Sequence, residues 1–275
     1  MRTVVVTGGT EGMGAALVRH FLRGGDRVVV VARDRAKFDR LLAGLTAAGG
    51  SAGDRAEFVR ADLSLVADSR RVVAEITARH PRIDALVLAA SFVRQRRHVT
   101  AEGREASWVL FFVSKYLLTT GLADALAASD RPVIVNMSVP GTKVDAIAFD
   151  DLESARGFRF SRANAQQRRA NELLGLELTT NTALSYLTWG PKRMVKTSFA
   201  GEYGAALRLS AKLLARTAES PDTAVESIIE LLAAPPAGRH AYRGNKPVPL
   251  VHGPDDARAA QRLRAAVDHP PTASA

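Results

Sequence analysis

The first residues able to do chemistry stand at the end of a β-branched run. Thr7-Gly8-Gly9-Thr10-Glu11-Gly12-Met13-Gly14 joins Thr3–Thr7 to an amphipathic stretch at Ala15–Leu22. Glycines at such a junction let the backbone turn and approach an anion, and the N–H groups and dipole of the helix start favour a pyrophosphate there. The spacing, Gly-x-x-x-Gly-x-Gly after a strand and before a helix, points to a dinucleotide. A second signal closes the next apolar run, at Ala32-Arg33. A carboxylate at that place would bind a free ribose 2′-hydroxyl, whereas a guanidinium pairs with a 2′-phosphate. Arg33 therefore favours NADP over NAD. Other chemistries are closed. With no cysteine there is no disulfide, thiolate site or thiol nucleophile, and the six histidines show no close ligand spacing, so no metal is expected.

These residues need strands and helices to position them, and the pattern supplies both. Strands are predicted at Thr3–Thr7, Arg27–Ala32, Ala56–Arg60, Ala85–Ala90, Pro132–Met137, Thr182–Thr188 and Val248–Val251. Helices are predicted at Ala15–Leu22, Ala36–Ala48, Ser69–Arg79, Thr100–Ala127, Arg162–Thr180, Ala205–Arg216 and Ala224–Ala233. Apolar strands spaced by helices imply a parallel sheet covered on both faces. The fold class is α/β: a Rossmann-like, doubly wound parallel sheet of about seven strands. Residues 1–268 read as a single domain and 269–275 as a disordered tail.

The 275 residues carry 38 Lys and Arg against 28 Asp and Glu, a net charge of +10. The densest basic knot, Arg94-Gln95-Arg96-Arg97-His98, reads as a solvated loop. No nucleic-acid-binding motif accompanies it, so nucleic acid is not an expected partner. No apolar run approaches a bilayer span and the start lacks a secretory signal, so a cytoplasmic protein without a membrane span is expected.

Further stretches carry a family resemblance: Ala61-Asp62-Leu63, Ile134-Val135-Asn136-Met137-Ser138, Phe149-Asp150-Asp151-Leu152 and Ala170-Asn171-x-Leu173. With the glycine loop, they make the chain resemble a short-chain dehydrogenase/reductase from about Arg2 to Val251. The similarity is greatest to the retinol-dehydrogenase-like and protochlorophyllide-reductase-like branch. The resemblance implies cofactor contacts from Thr7, Gly8, Thr10, Glu11, Gly12, Met13 and Gly14. It puts Asp62 and Leu63 beside the adenine and Thr197 at the nicotinamide amide. Glu11 is the contrary sign for NADP, since relatives preferring it often carry a basic residue there.

The same resemblance exposes departures. Ser138 matches the family serine that polarises the carbonyl. The catalytic tyrosine and the lysine four residues later are replaced by Asn164 and Arg168. Asn164 can donate a hydrogen bond but not a proton, and Arg168 can hold ribose hydroxyls without acting as an acid. Ala89 and Ala90, in Leu88-Ala89-Ala90-Ser91, stand along the cofactor where the family has Asn-Ala-Gly. Phe111 takes the place of a helix asparagine, and Trp189-Gly190-Pro191-Lys192-Arg193 replaces a Pro-Gly. Tyr242 with Lys246 repeats the tyrosine–lysine spacing, but in a Gly/Pro-rich stretch that is no helix. Tyr203, in the region that caps the substrate, is the best substitute acid.

The expected activity is NADP-dependent reduction of a carbonyl or conjugated small molecule by an atypical site. A non-redox step (cyclisation, dehydration or isomerisation) and a non-catalytic cofactor-binding role are the alternatives. The Arg- and Ala-rich composition suits secondary metabolism. The family's habit and the apolar stretch Trp108–Leu118 imply a homo-oligomer, dimer or tetramer.

Overall fold

Val4, Val5 and Val6 give the first strand no polar face, so it is stable only when covered on both sides. The computed structural model describes residues 1–49, 53–180, 182–196, 201–202 and 218–269. Strand β1 (Thr3–Thr7) lies inside the main sheet, paired in parallel with β2 (Arg27–Ala32) and β4 (Ala85–Leu88). Beyond β2 lies β3 (Ala56–Arg60). Beyond β4 come β6 (Val133–Asn136), β7 (Ser185–Gly190), β9 (Gly238–Arg243) and the antiparallel β10 (Lys246–Pro247). The sheet has eight strands in the order β10-β9-β7-β6-β4-β1-β2-β3, where about seven were expected. The short strands β5 (Val93–Arg94) and β8 (Gly201–Glu202) pair separately.

Helices cover both faces. One core holds α1 (Gly12–Arg23), α2 (Arg35–Ala47) and α8 (Pro221–Ala233) against Val4, Val6, Val28 and Val30. The other holds α3 (Val66–Arg79), α7 (Phe160–Thr179) and α9 (Asp256–Asp268) against Val5, Val29 and Leu86. The strand pleat sends alternate valines to the two cores.

Three expectations change. The helix predicted at Thr100–Ala127 begins only at α4 (Ala106–Trp108), where Glu105 accepts from the amides of Ser107 and Trp108 at 3.0 and 2.6 Å. It widens to a π-helical turn at Val109–Val113, resumes as α5 (Ser114–Gly121) and ends as α6 (Ala123–Ala127). The last strands are Gly238–Arg243 and the short Lys246–Pro247, not Val248–Val251, where Pro249 removes a ladder donor. Arg94 is not in a solvated loop; it is buried on β5, its guanidinium over the Phe92 ring.

The unforeseen α9 covers α7. Its Ala260, Leu263 and Val267 join the core containing Trp108, Phe112 and Tyr116, so much of the apolar Trp108–Leu118 stretch is buried within one chain. At the base of α9, fully buried Arg169 pairs with Asp256 and with Glu172 (3.0 Å) and donates to the Val251 carbonyl (3.1 Å).

Candidate functional site

The glycine loop is shaped by contacts that leave no room for a side chain. Gly8 has φ +66°, and a Cβ there would stand 2.7 Å from the Ala90 Cα. A Cβ on Gly14 would stand 2.3 Å from the Gly8 carbonyl oxygen. Thr7 lies beneath as a buried brace, its hydroxyl accepting from the Ala90 amide at 3.1 Å. Glu11 precedes α1 without capping it and instead pairs with Lys37 at 2.7 Å. The first amides of α1 thus keep their donors toward the cleft, and the one acid of the loop is neutralised.

A cleft of about 370 Å³ opens over the carboxyl ends of β1, β2 and β4. Gly8, Thr10, Glu11, Gly12, Met13 and Gly14 line one wall, with Arg33, Asp62, Leu63, Ala89 and Ala90 on the others. The expected cofactor residues other than Thr7, Arg168 and Thr197 therefore line one cleft. Thr197 and Tyr203 lie outside the described residues. Asp62 is fixed by accepting from the Ser64 amide and hydroxyl at 3.0 and 2.7 Å. Asp34 is occupied at the start of α2, accepting from the Lys37 amide at 3.1 Å, so the exposed Arg33 is the charge offered at the end of β2.

Sequence reasoning missed Lys37, Phe92 and Arg94, which also line this cleft. Arg33 reaches across from β2 to stack on Phe92, 5.1 Å from the ring centroid, and Arg94 stands 4.7 Å from the same ring. The sheet order makes this meeting, because β2 and β4 flank β1. No local motif signals it.

The described residues expected to be catalytic do not line the cleft, although Met137, next to Ser138, does. Ser138 is buried just past β6. Asn164 is half-buried on α7, one turn before Arg168. Arg168 turns onto the loop after Ser138, Nε donating to the Val139 carbonyl at 2.6 Å and Nη2 to that of Pro140 at 3.0 Å. One turn later Glu172 accepts from the Gly141 and Thr142 amides at 2.9 and 3.4 Å. Helix α7 therefore clamps this loop by its carbonyls and its amides together. Burial, and then the charge of Arg243, lower the Arg168 pKa from its ordinary value.

Beneath Ser138 lies a buried polar chain that sequence reasoning also missed. Lys115 Nζ donates to Asn136 Oδ1 at 2.6 Å, and Asn136 Nδ2 donates to Asn171 Oδ1 and the Tyr186 hydroxyl, both at 2.6 Å. Asn171 in turn donates to the carbonyl of Phe111 in the π-helical turn at 2.8 Å. Tyr186 gives its own proton to the Asn171 carbonyl (2.8 Å), and burial raises its pKa, so it packs and is no acid for the site. Trp189 likewise is buried, donating to the Gly244 carbonyl at 3.0 Å. Tyr242 and Lys246 lie on the β9–β10 hairpin and share no helix face.

Burial lowers the Lys115 pKa from 10.5 to about 7. Between those values the unfolded chain keeps a proton that the folded chain has released. Stability should rise with pH across that window, by at most about 1.4 kcal/mol per unit, and below it the charged amine weakens the fold by a constant amount. A Lys115→Met variant should lose this rise. Urea unfolding at neutral and moderately alkaline pH checks it, and equal slopes for both proteins would refute it.

The family model for short chain dehydrogenases matches residues 2–150. Mouse retinol dehydrogenase 14 is 30% identical over 185 residues, which cover 64% of this chain and 55% of that protein. Human polyprenol dehydrogenase is 26% identical over 173 residues, 62% of this chain and 52% of that one. The chain thus spans about half the length of these curated relatives. Among solved structures, a short-chain dehydrogenase from Sphingobium yanoikuyae in complex with NADPH superposes with a TM-score of 0.61 at 22% identity, covering 100% of this chain and 98% of that one. Another from Streptomyces avermitilis gives 0.62 at 21%, covering 98% and 95%. Because the family match takes in the glycine loop, every wall of the cleft and the strand bearing Asn136, this chain belongs to the short-chain dehydrogenase family.

Proposed function

We propose that the chain binds NADP(H) across the ends of β2, β1 and β4 and reduces a carbonyl or conjugated group of a small molecule. The observation that carries this reading is Arg33, a guanidinium at the end of β2 beside a loop that only glycine can form. The residues present fit the cofactor. No Cβ fits against the neighbouring backbone at Gly8 or Gly14, so the loop stays bare, the amides at the start of α1 suit a diphosphate, and Lys37 removes the objection raised by Glu11. When bound, the nicotinamide would supply hydride. Ser138 would orient and polarise the carbonyl oxygen, and Asn164 would add a hydrogen bond without releasing a proton. Proton delivery falls to water, to the substrate, or to Tyr203 as the substitute acid.

NADPH should bind more tightly than NADH. Arg33→Ala should cost NADPH about tenfold to a hundredfold in affinity, the worth of a charge-assisted bond to phosphate, while NADH changes little. Calorimetric titration checks this, and NADH binding the tighter would overturn it. The relatives' names support redox chemistry, and NADPH consumption with carbonyl substrates is its assay. One observation favours the non-redox alternative: Arg168, at the lysine position, is engaged with the carbonyls of Val139 and Pro140. Product analysis with and without cofactor separates the two.

A further inference from the structure

The +10 charge is not spent at the cofactor cleft alone. At the catalytic end, Arg168 holds the carbonyls of Val139 and Pro140. Val139 in turn covers Gly190, the last residue of β7, where a Cβ would stand 3.0 Å from Val139 Cγ2. Gly190 is the register partner of Arg243, the last residue of β9. Side chains alternate along a strand, so Arg243 shares a face with Arg239, and Arg239 donates to the Glu172 carbonyl of α7 at 3.1 Å. Arg243 therefore faces the helix from which Arg168 projects. The charge of the exposed Arg243 reaches Arg168, and neither guanidinium makes an ion pair among the described residues, Glu172 being bonded to Arg169 and the loop amides. The neighbouring sequence adds charge of the same sign. Lys192, Arg193 and Lys196 follow Gly190, with Arg193 paired to Glu219 at 3.9 Å.

Two like charges left together, next to the serine expected to hold the reacting carbonyl, lack their anion. The cofactor's phosphates are too far away to be that anion. The glycine loop follows β1 and Arg243 ends β9, with β7, β6 and β4 between. Four strand spacings are about 19 Å. The anion must come from the other ligand. Arg168 has already committed Nε and one N–H of Nη2, so the donors remaining on the pair suit a planar, singly charged carboxylate.

We propose that Arg243 and Arg168 form a carboxylate-recognition site at the catalytic end, so that the preferred substrates are oxo acids. This rests on the carbonyl-reducing reading of the site, and its test is arranged so that the two can fail separately. Wild type and Arg243→Gln are given phenylglyoxylate, acetoacetate and levulinate, each beside its methyl ester, with NADPH oxidation followed by absorbance. Binding of the same acids to NADPH-loaded protein is measured by calorimetry. At least one acid should exceed its ester about tenfold or more in kcat/KM. In Arg243→Gln that ratio should fall toward one, and the ratio is insensitive to how much of the variant is folded. If no compound consumes NADPH but an acid binds and Arg243→Gln abolishes the binding, the carboxylate site stands and the redox reading falls. Esters equal to or better than every acid, or no binding of any acid, overturn the site. So does an Arg243→Gln protein that loses NADPH affinity while keeping the preference for acids.

Discussion

Arg169→Met should lower the free energy of unfolding by about 3–5 kcal/mol, the usual cost of removing one partner from a buried charge network. Arg169 is wholly buried, and its guanidinium neutralises Glu172 and Asp256, which are themselves nearly inaccessible. Methionine fills much of the same volume, so the loss is not chiefly a cavity. It leaves Glu172 and Asp256 without the guanidinium that pairs with both, Arg239 acting on them only without a direct ion pair. Denaturant unfolding of the variant measures the effect. A loss below about 1 kcal/mol would mean that the network is better hydrated than its burial indicates. The variant should also loosen the Ser138–Thr142 loop, since Glu172 anchors its amides.

The second large effect is expected at the glycine loop. Gly8→Val places a β-branched side chain at φ +66° and drives its Cβ to 2.7 Å from the backbone of Ala90. The left-handed conformation alone costs such a residue about 1–2 kcal/mol, and a backbone neighbour cannot turn aside as a flexible side chain can. The loop must move away from Ala90, and the amides proposed to hold the diphosphate move with it. NADPH affinity should fall at least about a hundredfold, equivalent to about 2.7 kcal/mol. Circular dichroism would establish that the variant is folded, and calorimetry would give the affinity. A folded variant binding within threefold of wild type would remove the loop from the cofactor site.

Where chemistry is local, it was legible in the sequence. The glycine loop, Arg33 and Asp62 each sit at the end of a strand whose apolar pattern is plain, and they meet because consecutive βα units share one edge of the sheet. What was hidden depends on strand order or on bonding. Phe92 follows β4, yet it touches Arg33 because both strands flank β1. Lys37 answers Glu11 from the next helix. Lys115 was masked by the apolar stretch around it, and a lone lysine within Trp108–Leu118 was the available clue. Asn164 and Arg168 were found by register, but no pattern told that Arg168 would hold two carbonyls of its own chain. At the C-terminal end, the β-branched Val248–Val251 resembles a strand, but prolines at 247 and 249 withhold the ladder donors a strand needs.

The tie from the Ser138–Thr142 loop through Glu172 and Arg169 to Asp256 also sets an order of assembly. Synthesis runs from the N-terminus, so the glycine loop and the cofactor edge of the sheet are made first. Helix α7 emerges with Arg169 and Glu172 while the chain still lacks the base of α9. Until Asp256 is made, Arg169 lacks one of its two anions, and the Ser138–Thr142 loop is anchored to a helix whose charge network is incomplete. The glycine-loop edge of the sheet can therefore take shape before the Ser138–Thr142 loop is fixed.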